Sequence, residues 1–268
     1  MDTQLIMLGT GYAMATKCYN TCFTIKNNDD YFLIDAGGGN GIMLQLDKAG
    51  IAFTNIHNMF ITHGHTDHIL GAIWVIRKIA SLMSQESYDG NFNIYCHNEL
   101  SKMLSTFCEM TLAGKLLRFI GDRIIIHEVL DGTNIEINNM NVDFFDIYST
   151  KAKQFGFAAI LPNGQKLACL GDEPYNERCK KYIVNSDWML CEAFCLYSQR
   201  DIFKPYEKHH STVLDAGKLA ASLKIKNLVL YHTEDKNLNS RKISYTAEAE
   251  KVFDGNVFVP DDLEVINF

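Results

Sequence analysis

Six consecutive residues, His63-Gly64-His65-Thr66-Asp67-His68, place three imidazoles and a carboxylate directly after the apolar run Met59-Phe60-Ile61-Thr62. A chain that buries the run and gathers the polar side chains at its end has few ways to fold. Neutral imidazole and carboxylate are the ligands that a borderline divalent metal such as zinc prefers. In extended chain His63 and His65 point to the same side, because side chains alternate with period two. Asp67 and His68 fall where a helix starts, which turns them toward a second, neighbouring metal. A polar loop merely rich in histidine would not carry four ligand-type residues in six at the end of a buried strand. The segment reads as a metal site.

The remaining ligands of such a site are expected where other strands end. The strand Lys166 to Leu170 runs into Gly171-Asp172, and the strand Asn227 to Tyr231 runs into His232. Asp172 has two oxygens and can bridge two metals; alone it would read as a turn residue after Gly171. His232 alone would read as a partly buried, satisfied histidine.

At 268 residues and 47% hydrophobic content the chain can build one large core or two small ones. Asp and Glu outnumber Lys and Arg by 32 to 25, which argues against a broad nucleic-acid surface. Met1-Asp2-Thr3-Gln4 carries no basic leader segment, and no apolar run reaches the length of a membrane span, so no membrane partner is expected. The 8 cysteines contain no Cys-x-x-Cys pair and read as reduced thiols of a cytoplasmic protein. Metal binding by Cys191 and Cys195 on one helix is the weaker reading of that pair.

Strands alternate with helices along the whole chain. Strands are expected at 4–8, 31–34, 58–62, 92–96, 123–129, 133–137, 142–148, 155–161, 166–170, 188–191 and 227–231. Helices are expected at 42–49, 69–83, 99–117, 212–223 and 245–253. Asn138-Asn139 and Pro162-Asn163-Gly164 are hairpin turns. This pattern suggests two mixed sheets between helical layers.

His-x-His-x-Asp-His, then Gly-Asp, then a strand-end His resembles the metallo-β-lactamase superfamily, and within it the ribonuclease Z branch. Leu8-Gly9-Thr10-Gly11 with Asn20-Thr21 is similar to that branch's first motif, and Asp35-Ala36-Gly37 to its Asp-x-Gly turn. Cys191-Glu192-Ala193-Phe194 resembles its Glu-Ala-Thr segment, and His209-His210-Ser211-Thr212 its His-Ser-Thr segment. The resemblance implies a single domain over residues 1–268 with an αββα sandwich: four layers, two mixed sheets flanked by helices. It further implies that His63 and His65 hold a first metal, Asp67, His68 and His232 a second, and Asp172 both. The metal is expected to be Zn2+, one or two ions, with Mn2+ or Fe2+ as substitutes. The nucleophile is then a water of lowered pKa, oriented by Asp67. His210 gives a proton to the leaving oxygen and Glu192 holds its tautomer. The bland readings are that Glu192 is a buried paired carboxylate and that His210 caps the helix behind it.

Two departures from the branch matter. Where the family places a first-site histidine, after Asp146-Ile147, this chain has Tyr148. A tyrosine ligates only as phenolate, from a pKa near 10, so the first metal is expected to be weak, absent or oddly coordinated. The second is the absent transfer-RNA-binding arm, since only one hairpin fits between Tyr148 and Asp172. The substrate expected is therefore a small phosphodiester or short nucleic acid rather than transfer RNA. The leading expectation is a metal-dependent phosphodiesterase of the ribonuclease Z-like branch. Alternatives are transfer-RNA 3′ processing, hydrolysis of a lactone, thioester or lactam, and a weakly active descendant that only binds metal. A homodimer follows from the resemblance alone.

Overall fold

A computed structural model describes residues 3–268. Met1 and Asp2, the start of the segment read as lacking a basic leader, lie outside the described residues. The chain forms two compact units. One comprises Tyr19–Leu130 with the strand ending at Gly9 and the C-terminal stretch Asp262–Phe268; the other comprises Thr10–Cys18 and Asp131–Asp261.

The first unit is built on β1 (Thr3–Gly9), β2 (Cys22–Asn27), β3 (Asp30–Ile34), β4 (Ile56–Phe60), β5 (Phe92–Cys96) and β6 (Ile124–Glu128). The second is built on β7 (Thr133–Ile137), β8 (Met140–Asp146), β9 (Phe155–Ile160), β10 (Lys166–Cys169), β11 (Trp188–Glu192), β12 (Asn227–Tyr231) and β13 (Asn256–Phe258); β14 (Val265–Asn267) returns to the first. Sheet order is β14-β1-β2-β3-β4-β5-β6 in one and β13-β12-β11-β10-β9-β8-β7 in the other. Each sheet has an antiparallel half, β14 to β3 or β7 to β10. Each then continues as a parallel half, β3 to β6 or β10 to β13. Parallel strands leave their carboxyl ends on one edge, the place where α/β sheets present functional residues. Asp35 and His63 follow β3 and β4; Asp172, Glu192 and His232 end or follow β10, β11 and β12.

The helices are α1 (Gly41–Lys48), α2 (Thr66–Ser84), α3 (Asn98–Thr111), α4 (Gly114–Leu117), α5 (Lys180–Ile183), α6 (Arg200–Phe203), α7 (Val213–Ser222) and α8 (Leu238–Ala249). In α2, Ile69, Ala72, Val75, Ile76, Ile79, Ala80 and Met83 recur at three- and four-residue spacing and join Leu33, Met59 and Ile94 in one core. Each fully buried Ile or Val contributes roughly 1.5–3 kcal/mol. Gly71 lets the helix press onto the end of β3: a Cβ there would lie 1.8 Å from the Ala36 carbonyl oxygen. The Gly71 amide donates to the Gly37 carbonyl at 2.8 Å. The core of the second unit packs Val213, Ala216 and Ala220 of α7 and Tyr245 and Ala249 of α8 onto Met189, Leu228 and Leu230.

Several expected boundaries move. The expected helix 99–117 breaks at Leu112, whose extended backbone (φ −96°, ψ 143°) divides α3 from α4. The last helix begins at Leu238, not Tyr245. The edge strands β13 and β14 are only three residues long, and β2 is buried throughout except at Lys26, so none of them shows a run of alternation long enough to read as strand. Asn138 and Asn139 both take positive φ, 49° and 58°, as a tight hairpin demands.

Candidate metal centre

In the first unit the metal motif leaves β4 in extended chain and enters α2 with His65 as N-cap residue (φ −68°, ψ 150°). His63 Nε2 and His65 Nδ1 face one another at 2.8 Å, the same-side arrangement expected from the sequence. Asp67 sits in the first turn of α2, where the helix dipole favours a carboxylate, and its Oδ2 lies 3.4 Å from His68 Nε2. His63, Asp67 and His68 are buried, and His65 is half-buried.

Asp35 organises these rings. It follows β3 in a left-handed conformation (φ 55°). Its Oδ1 accepts from the Thr62 amide at 2.8 Å. Its Oδ2 accepts from the Thr62 hydroxyl at 2.8 Å and from His68 Nδ1 at 2.7 Å. Because the Thr62 hydroxyl spends its one proton on Asp35, it accepts from His63 Nδ1, 2.9 Å away. Both rings therefore carry their proton on Nδ1 and present a lone pair at Nε2. A carboxylate fixing ligand tautomers in this way is the usual outer support of a metal-bound histidine. The donor set, imidazole nitrogens with a carboxylate beside them, fits a divalent cation such as zinc.

In the second unit Gly171 (φ 78°) turns the chain after β10 and presents Asp172. The Gln154 side chain donates to Asp172 Oδ1 at 2.6 Å, and His232 Nε2 lies 3.6 Å from Oδ2. Tyr231 donates its hydroxyl proton to the Gly171 carbonyl, bracing the same turn. His232 is itself left-handed (φ 57°) and only 1% exposed. Its ring stands 5.1 Å from that of His210, which stacks on Phe194 at 5.2 Å.

His210 Nδ1 donates to the backbone carbonyl of Asp172 at 2.8 Å. Glu192 Oε2 is 3.8 Å from the same nitrogen, beyond hydrogen-bond reach, while Oε1 accepts from the Ser211 amide at 2.5 Å. The resemblance implies that Glu192 holds the His210 tautomer; here the Asp172 carbonyl accepts the Nδ1 proton instead. Burial, and then the neighbouring His232, push His210 down to about 3, while burial raises the Glu192 carboxyl well above its ordinary range. The Ser-Thr that follows caps α7 through Thr212 and Asp215, so His210 is free of the capping role.

Tyr148 ends β8's excursion in a left-handed turn (φ 58°), and the Arg178 guanidinium lies 4.8 Å from the centre of its ring. The charge of Asp131, then burial, raises its phenol above 10. The phenolate form needed for ligation is thus disfavoured. Cys191 lies in β11 rather than on a helix, and burial pushes Cys195 up to about 12, so the cysteine pair offers no metal site. The sequence did not mark Thr62 or Gln154, nor Asp35 beyond its turn. Their roles depend on contacts across strands, and only the Asp-x-Gly turn gave a signal.

The order of strands, their carboxyl-edge histidines and aspartates, and the carboxylate-fixed tautomers define a ribonuclease Z-like member of the metallo-β-lactamase superfamily, a class of metal-dependent hydrolases. YhfI from Bacillus subtilis, a metallo-β-lactamase fold protein, superposes with a TM-score of 0.81 over 100% of both chains at 14% identity. Human tRNase Z, short form, gives 0.75 over 98% of each at 22% identity. Ribonuclease Z of Phocaeicola vulgatus is 24% identical over 272 residues, covering 84% of this chain and 85% of that one. Residues 3–253 match the family described as Anti-Pycsar protein Apyc1, and the chain belongs to it. The expected fold class, two mixed sheets of seven strands flanked by helices, is the one found.

Proposed function

We propose that this protein is a phosphodiesterase acting on a small phosphodiester, with zinc as its metal and manganese or iron as substitutes. In this reading the chain works as one domain. His63 and His65 would hold a first ion, Asp67, His68 and His232 would hold a second, and Asp172 would serve both. Bound cations supply Lewis acidity and lower the pKa of water. Asp67 would orient that water or take its proton.

The observation that carries the reading is His210. Its Nδ1 proton is committed to a backbone carbonyl, its Nε2 is bare, and burial keeps it neutral in the free molecule. A phosphodiester brings negative charge and so favours the imidazolium. The proton gained at Nε2 can then pass to a poor alkoxide leaving group. Hydrolysis of a lactone, thioester or lactam has less need of such an acid and is not favoured. A merely metal-binding descendant would have no use for it.

Only the β9–β10 hairpin stands between Tyr148 and Asp172, which supports a substrate smaller than transfer RNA. The eight free cysteines suit a reducing compartment, the cytoplasm. Among the described residues no helix is long and apolar enough to cross a membrane. A homodimer is proposed on the resemblance to the branch alone.

The test is hydrolysis of bis-(p-nitrophenyl) phosphate with zinc or manganese, followed by a panel of linear and cyclic nucleotide phosphodiesters, esters, lactams and a precursor transfer RNA. A metal-dependent rate on small phosphodiesters supports the proposal. Removal of a transfer-RNA 3′ trailer at an ordinary enzyme rate would overturn the choice of substrate. Silence on every phosphodiester would remove the activity itself.

A further inference from the structure

We propose that Arg241 is a positioning residue that holds His232 in its ligating conformation; this rests on the metal role given to His232 above. Arg241 lies on α8 and is 1% exposed, a fully buried guanidinium where an amphipathic helix would ordinarily place an apolar side chain. Burial of that charge is unfavourable unless its donors are used. Its two terminal nitrogens are used, one on Thr233 beside His232 and on Thr10, the other on Pro260 and Asp261, while Nε has no hydrogen-bond partner among the described residues.

One terminal nitrogen donates to the Thr233 hydroxyl at 2.8 Å and to the Thr10 hydroxyl at 3.2 Å. The other donates to the Pro260 carbonyl and to Asp261 Oδ1, both at 2.8 Å. Thr233 is the residue next to His232. Its amide donates to the Thr10 carbonyl at 3.0 Å, and its carbonyl accepts from the Tyr12 amide at 3.1 Å. Before His232, the Ala193 amide donates to the Tyr231 carbonyl at 2.9 Å, and beyond Thr233 the Glu234 amide donates to the Phe194 carbonyl at 2.8 Å. His232 is therefore a left-handed, non-glycine residue braced from two directions.

Left-handed backbone is uncommon for any non-glycine residue, although histidine adopts it more readily than most, and the surrounding bonds help to hold it. Arg241 ties Thr10 to Thr233 through both hydroxyls, reinforcing the backbone bond from the Thr233 amide to the Thr10 carbonyl. Released from it, the turn relaxes toward an ordinary conformation and the imidazole leaves the direction in which Nε2 faces Asp172.

The experiment compares the unaltered protein with Arg241→Met, Arg241→Lys and Thr233→Val. Zinc affinity is measured by competition with a chromophoric chelator, and the His232 backbone is followed by its carbon chemical shifts in the metal-free protein. Arg241→Met is expected to lose roughly 10- to 100-fold in affinity, the usual effect of removing an outer support. It should also lose the left-handed signature at His232. Thr233→Val, which keeps the shape and the arginine but removes the nearer acceptor, should do the same in part; Arg241→Lys should restore part. Should Arg241→Met not fold, Thr233→Val decides alone. Variants that keep both the signature and the affinity would overturn the proposal, leaving Arg241 a purely structural tie. If the unaltered protein binds no zinc, the metal reading fails. The chemical shifts then still decide whether Arg241 sets the His232 backbone.

Discussion

Asp35 Oδ2 lies 2.7 Å from His68 Nδ1 and 2.8 Å from the Thr62 hydroxyl that accepts from His63. One carboxylate thus sets the tautomer of two candidate ligand histidines, at the start and the end of the metal motif.

Replacing Asp35 by Asn separates charge from shape. The amide keeps an oxygen for the Thr62 backbone but presents an NH2 where two donors now point. Zinc affinity should fall roughly 10- to 100-fold, as for other outer supports. Stability should fall by about 1–3 kcal/mol, because buried donors lose a charged acceptor. Chelator competition and urea unfolding measure the two effects. An unchanged affinity would mean that His63 and His68 orient themselves.

Tyr148 makes the opposite prediction, a gain. Its turn is left-handed, a conformation in which histidine is enriched among non-glycine residues, so Tyr148→His should be tolerated. With the phenol raised by Asp131 and covered by Arg178, the tyrosine is a poor ligand, and the histidine variant should bind more zinc, or bind it about tenfold more tightly or better. Hydrolysis of bis-(p-nitrophenyl) phosphate should rise with it. Equal zinc content and equal affinity in both proteins would show that the first site needs no side chain at this position.

His210 gives the metal-free protein an acid sensitivity. Its folded value of about 3 lies below the ordinary 6.5, so unfolding takes up a proton at intermediate pH. The stability due to its neutral burial is complete above 6.5 and is lost as pH falls toward 3. The slope it adds is at most about 1.4 kcal/mol per pH unit. In chelator, the free energy of unfolding of the unaltered protein should drop more steeply between pH 6 and pH 4 than that of His210→Gln. Parallel curves would show that the folded ring titrates normally.

The candidate ligands were legible because four of them fall within six residues and two more stand at the ends of apolar strands, so residue type and strand period both pointed to them. The supports were not. Arg241, in Leu238-Asn239-Ser240-Arg241-Lys242, reads as part of a solvated charged face, and its burial depends on Thr10, 231 positions away in sequence. Gln154 likewise gains its role only because β9 and β10 pair and bring it to Asp172. The acid–base pair was found by resemblance, yet its internal wiring was not. Which acceptor takes the Nδ1 proton is decided by the path of the Asp172 backbone, which no side-chain pattern encodes.

That wiring makes the last prediction specific. If His210 serves the leaving oxygen, its removal should matter in proportion to how much that oxygen needs a proton. His210→Ala should slow hydrolysis of an alkyl phosphodiester by about 10²–10⁴, the span of general acid catalysis, and that of bis-(p-nitrophenyl) phosphate by far less. Glu192→Gln should act weakly on both, because the Asp172 carbonyl, rather than Glu192, holds Nδ1. Steady-state rates on the two substrates for the three proteins decide the matter. An equal loss on both substrates would make His210 a group that shapes the pocket. A Glu192→Gln defect as large as that of His210→Ala would mean that Glu192 moves within reach of the ring once substrate is bound.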